Sequence, residues 1–164
     1  MFSQTLEYAL RVIVHLAAGD SGPMTTREIA LATRVPESYL AKVIQGLRRG
    51  GLIRAQRGLH GGSSLARPAE SITLFDVAQA IDPLPRITTC PLGLKSHGSR
   101  LCAVHQRLDD AMSHVERVFR TSTIAQLLAR PTGSKPLCES VEGDSGKDRG
   151  DVKLIAVSVR KKKS

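Results

Sequence analysis

The sequence predicts a mainly α fold with one small β-hairpin. Three observations carry that expectation. Apolar residues recur at helical spacing in four segments before residue 82, each bounded by Gly, Pro or a capping residue. Two short strand-like runs flank "RGLHGG". A long segment after residue 100 carries an apolar seam with a period of 3.5.

In residues 3 to 18, Leu6, Leu10, Ile13 and Ala17 mark a first helix, which "GDSGP" ends. "TTREIALATR" offers Thr25 as N-cap with Glu28 three residues on, the capping-box pattern, and turns Ile29 and Ala32 inward. Val35-Pro36 forces a turn. "PESYLAKVIQGLRRGG" then restarts a helix with Pro in its first turn, aligns Leu40, Val43, Ile44 and Leu47, and stops at Gly50-Gly51. Two short helices joined by a tight turn form a helix-turn-helix.

"LIRAQ" and "SSLAR" follow as strands, and three glycines between them permit a hairpin tip carrying a basic residue. The whole is a winged helix-turn-helix. "TLFDVAQAID" adds a short helix with Thr73 as N-cap. From about Leu101 to Thr121 the chain is helical again, with Val104, Leu108, Ala111, Val115 and Val118 in a seam that suits self-pairing. Met112 and Phe119 widen that stripe towards the helix's own domain, and Asp109 and Asp110 sit on the helix with ordinary solvent-facing neighbours. "TIAQLLA" forms a last short helix. The expected organisation is a DNA-binding domain over 1–82, a Cys-bearing loop over 83–103, a long dimerisation helix and short terminal helix over 104–130, and a disordered tail over 131–164.

With 164 residues the chain can bury a core without disulfides, and three cysteines, an odd number, favour reduced thiols or metal ligation. Lys and Arg number 24 against 15 Asp and Glu, a formal charge of +9 that attracts polyanions. No apolar run reaches membrane-spanning length and the first residues lack a signal-peptide pattern, so a cytoplasmic protein without membrane contact is expected. No glycine-rich nucleotide loop or nucleophile elbow is present, so an enzyme is not expected.

The apolar set of the third helix faces in, which leaves Ser38, Tyr39, Lys42 and Gln45 to meet a major groove of double-stranded DNA. Thr25, Thr26 and Arg27 open the supporting helix, where amide donors suit a phosphate. On the wing, Arg57 or His60 can enter a minor groove. Tyr39 packed on the core and solvated arginines are the alternative reading, and a winged helix used for protein contact is the alternative function.

Taken in order, "MFSQTLEYALRVIVHLA", "VPESYLAKVIQGLRRGGLI", "RGLHGG" and the Cys-bearing loop before a long helix resemble the IscR/NsrR family of bacterial winged-helix transcription regulators, over about residues 1 to 130. The resemblance implies a homodimer crossed through the long helix, a palindromic operator, and in many members an iron-sulfur cluster that tunes DNA affinity; the expected function is a DNA-binding regulator acting as a repressor. Where that family has "GGY" after the wing turn, this chain has "GGSS", with Ser63 in the tyrosine place.

Cluster-binding members carry three cysteines separated by five residues, some with a histidine three positions beyond. Those places fall here on Cys90, Ser96, Cys102 and His105, so the central thiolate is missing. The resemblance offers Glu7 as a further ligand from the partner subunit, with a 2Fe–2S cluster ahead of 4Fe–4S; a plain ion pair of Glu7 with Arg11 is the competing reading. Cys90, His97, Cys102 and His105 form an alternative set for tetrahedral zinc, although six, four and two intervening residues are not a standard finger. Without a metal, Cys90 and Cys102 form a thiol pair or are simply buried. Cys138 lies in the tail.

Overall fold

The structure is a computed structural model that describes residues 2–19, 22–58, 61–93 and 100–129. Helix α1 (Gln4–Ala18) starts at Ser3, whose hydroxyl accepts from the Leu6 amide. It buries Leu6, Ala9, Val12, Ile13, Val14 and Leu16, while Leu10 and Ala17 are only half-buried. The inward face is thus wider than the four expected positions. The reason is that α1 lies at the centre: every helix up to residue 82, the second wing strand and the last helix all pack on it.

Helix α2 (Thr26–Thr33) opens with the expected capping box. The Glu28 amide donates to Thr25 Oγ1 at 3.3 Å and the Thr25 amide to Glu28 Oε2 at 2.7 Å. The Thr25 amide, and then the Thr25 hydroxyl donating to the same oxygen at 2.8 Å, hold the Glu28 carboxyl below the usual carboxylate range. Ile29 is fully buried and Ala32 half-buried. Arg34 then takes a left-handed conformation, φ 54°, which turns the chain so that Val35 enters the core and Pro36 caps α3 (Glu37–Arg49). Gly51, at φ 67°, ends α3, and the Leu52 amide donates back to the Leu47 carbonyl at 3.0 Å.

The wing pairs β1 (Ile53–Gln56) with β2 (Gly62–Leu65) antiparallel, with Ile53 opposite Leu65 and Gln56 opposite Gly62. Met24, just before α2, adds two backbone bonds to Ser63, of 2.9 and 2.7 Å. A Cβ on Gly62 would lie 2.5 Å from the Met24 carbonyl, so that approach requires glycine. The second strand ends at Leu65, earlier than "SSLAR" suggests, and Arg67 beyond it pairs with Asp76 at 3.3 Å.

A single 3-10 turn (Ala69–Ser71) leads to α4 (Leu74–Ile81), capped reciprocally by Thr73 and Asp76. Helix α5 (Ala103–Thr121) and α6 (Ile124–Leu128) follow the irregular segment after residue 82. The Leu74 amide donates to the Ser122 carbonyl and the Ile124 amide to the Ile72 carbonyl, at 3.0 and 2.9 Å. The end of the long helix is therefore stitched to the start of α4. His60, Ser96, His97, Cys138 and the tail over 131–164 lie outside the described residues.

Candidate nucleic-acid interface and thiol site

Helix α3 divides cleanly. Leu40, Val43, Ile44 and Leu47 are buried, and Ser38, Tyr39, Lys42 and Gln45 are exposed on the other face. On that polar face the Tyr39 ring meets Tyr8 of α1 edge-on, with centroids 5.8 Å apart and planes at 77°. Tyr39 is 43% exposed, so it neither sinks into the core nor stands free. Thr25, Thr26 and Arg27 are exposed at the start of α2, and Arg57 is exposed at the end of β1. The geometry supplies hydroxyl, amide and cationic groups on a rigid helix and a basic group on a hairpin, a set suited to base edges and phosphates.

The cysteine region is built around α5. Cys102 is its N-cap residue and His105 lies in its first turn, which brings Cys102 Sγ to 3.3 Å from His105 Nδ1. Cys90 is half-buried on the approach segment. Glu7 is bonded to Arg11 across one turn of α1, the ion pair that the i, i+4 spacing predicts, and its side chain is half exposed. Among the described residues, no group of three His, Cys, Asp or Glu side chains is arranged to hold a metal ion. The described residues thus converge two donors, Cys102 and His105, where a cluster or tetrahedral zinc takes four. The described set does not by itself fit a complete cluster site.

Asp109 corrects the sequence-based reading. It is buried at 9% exposure rather than facing solvent, and it clasps Arg86. Arg86 Nε and Nη2 donate to its two carboxylate oxygens, each at 2.8 Å, and the Ile87 amide donates to Oδ1 at 2.9 Å. The Arg86 guanidinium, then the Ile87 amide, hold the Asp109 carboxyl down at about 2. Arg86 also reaches Glu116 at 3.1 Å, and Glu116 accepts from Arg120, whose guanidinium stacks 3.5 Å over the Phe75 ring of α4. Arg86 lies four residues before Cys90, so the loop is fastened to α5 at both roots.

The expected seam of α5 is exposed at Val104, Leu108 and Val118, at 67%, 47% and 45%. Ala111 is also exposed, whereas Val115 and Phe119 turn to the chain's own domain. Val104, Leu108, Ala111 and Val118 thus leave apolar surface open along one face of α5 among the described residues.

The model of the Rrf2 family, described as iron-dependent transcriptional regulators, matches residues 2–130. A relative from Aquifex aeolicus (strain VF5), assigned by name to the HTH-type transcriptional regulators, is 28% identical over 131 residues, covering 78% of this chain and 91% of the relative. The solved structure of CymR (YrzC), the global cysteine regulator of B. subtilis, superposes with a TM-score of 0.64 at 22% identity, covering 77% of this chain and 95% of that one. T. potens IscR gives 0.64 at 23% identity, covering 78% and 85%. At that identity the two structures speak for the fold, a winged helix with a long trailing helix.

Proposed function

The chain belongs to the Rrf2 family of transcriptional regulators, and from that premise we propose that it is a repressor that binds a palindromic operator as a homodimer, under the control of its cysteine loop. Family and relatives alike are transcriptional regulators and not enzymes.

The observation that carries the DNA-binding part is the two-sided α3, with Ser38, Tyr39, Lys42 and Gln45 exposed opposite a fully packed apolar face. Its first turn enters a major groove. Thr25, Thr26 and Arg27 hold phosphates beside it, and Arg57 reaches the adjacent minor groove. The exposed α5 seam joins two protomers, with half-sites about one helical turn of DNA, roughly 34 Å, apart.

The control reading rests on the Cys102–His105 pair and on the clamp from Arg86 to Asp109. An iron-sulfur cluster would be held by Cys102 and His105, with its further ligands, for which Cys90 and Glu7 of a second copy are candidates, brought to that pair from outside it. Such a cluster would supply sensitivity to oxidants or to iron supply. In its absence, the His105 imidazole 3.3 Å from the Cys102 sulfur is a hydrogen-bond partner for a thiol that a peroxide would oxidise to a sulfenic acid with release of water. Either change acts at the root of α5, the helix that sets how far apart two winged helices stand.

Selection from a pool of random duplexes tests the main claim. We expect recovery of palindromic sites by two protomers, with affinity falling steeply as salt rises, since phosphate contacts release counterions. Failure to enrich any duplex would leave a protein-interaction module. Absorption spectra with iron, sulfide and zinc analysis on anaerobically purified protein, beside Cys90→Ala and Cys102→Ala, separate cluster, zinc and thiol control.

A further inference from the structure

We propose that Tyr8 of α1 is a positioning residue for DNA reading, a brace that fixes the Tyr39 ring on α3; the proposal rests on α3 being the recognition helix. Three observations lead to it. The two rings meet edge to face at 5.8 Å and 77°, a preferred aromatic geometry. Tyr8 is itself fixed: Gln4 Nε2 donates to its hydroxyl at 2.8 Å, and the Arg11 guanidinium stands 5.8 Å from its ring centroid. Arg11 in turn is held by Glu7 across one turn.

Tyr39 lies in the first turn of α3, the part of a recognition helix that approaches base edges. A long side chain there would otherwise sample several rotamers, and binding would have to freeze one of them. The Tyr8 ring removes that freedom beforehand, and Tyr39 stays 43% exposed. Tyr8 sits on the central helix of the domain, half-buried and packed against its core, so the brace stands on a rigid base. The spacing of the two residues along the chain gives no hint of this contact; the packing of α1 across α3 creates it.

The test compares full-length wild type, Tyr8→Leu, Tyr8→Phe, Tyr39→Leu and the double leucine variant, on the tightest duplex recovered from the random pool and on an unrelated duplex. Leucine keeps the apolar contact with the core, and thermal unfolding of each variant checks that it folds. Tyr8→Leu should weaken binding to the selected duplex by about two- to ten-fold, the range of an aromatic pair. Binding to the unrelated duplex should stay unchanged. Tyr8→Phe should stay within about two-fold of wild type, because it keeps the ring. In the Tyr39→Leu background, Tyr8→Leu should have no further effect.

Equal loss on both duplexes, or an effect of Tyr8→Leu that persists without Tyr39, would overturn the brace. So would an unchanged affinity for Tyr39→Leu. If the wild-type protein enriches no duplex at all, the functional reading falls first and the brace with it.

Discussion

Arg86 and Asp109, separated by 23 residues, are joined by two parallel hydrogen bonds of 2.8 Å. This fork binds the stem of the cysteine loop to the long helix, and Glu116 and Arg120 extend it to the Phe75 ring on α4. Asp109→Asn keeps the shape but removes the charge and one of the acceptor oxygens. The expected result is a melting temperature lower by about 5 °C and faster proteolysis between residues 87 and 102. Thermal unfolding and limited proteolysis of the variant check both.

The same pair gives a pH dependence. Asp109 ordinarily titrates near 3.8 and is held at about 2 in the folded chain, so the folded state binds its proton less readily than the unfolded one. The stability it contributes is complete above pH 3.8 and is lost as the pH falls through about 2. Glu116, lowered by its bonds to Arg120 and Arg86, adds in the same direction. Unfolding curves between pH 5 and pH 2 should show stability falling with acid, less steeply in Asp109→Asn than in wild type; parallel slopes would contradict the assignment.

Gly62 touches the Met24 backbone where the wing joins the strand-like residue before α2. Gly62→Ala should push that edge apart and cost about 1–3 kcal/mol. An unfolding free energy from denaturant titration that falls by less than about a tenth of that amount would show that the wing can yield.

On the DNA face, Lys42→Ala and Gln45→Ala should differ in kind. Loss of Lys42 should weaken all duplexes alike, by about three- to ten-fold, and reduce the slope of log affinity against log salt by about 1. Loss of Gln45 should relax preference at one base pair. Salt titrations and a second round of site selection would separate the two effects.

The α5 surface makes a further claim. Leu108→Glu places a charge in the middle of the exposed seam formed by Val104, Leu108, Ala111 and Val118. Light scattering should find a dimer for wild type and a monomer for the variant, with operator binding reduced at least about ten-fold. A variant that remains dimeric would move the subunit interface elsewhere.

Most of the domain is legible in the sequence because its organising interactions are local. Thr25 with Glu28 is a box spaced by three residues, and the apolar face of α3 follows directly from the helical period. Cys102 and His105 also meet through an i, i+3 spacing at a helix start. What periodicity cannot supply is the partner. Asp109 reads as a surface acid until the fold brings Arg86 across to it, and Met24 carries no strand pattern because a single bridged residue has none. Tyr8 and Tyr39 lie on separate helices, and only the crossing of α1 over α3 joins them. The inner face of α1 is wider than its four best-spaced residues suggest because neighbours surround it.

Control by the cysteine loop requires coupling between the Cys102–His105 site and operator affinity. The direct measurement is the affinity for one selected duplex of protein purified without oxygen, of the same protein after mild oxidation and chelation, and of Cys102→Ala. The account predicts that the first differs from the other two by at least about ten-fold, an ordinary allosteric coupling. Equal affinity in all three states would show that the cysteine loop does not control DNA binding.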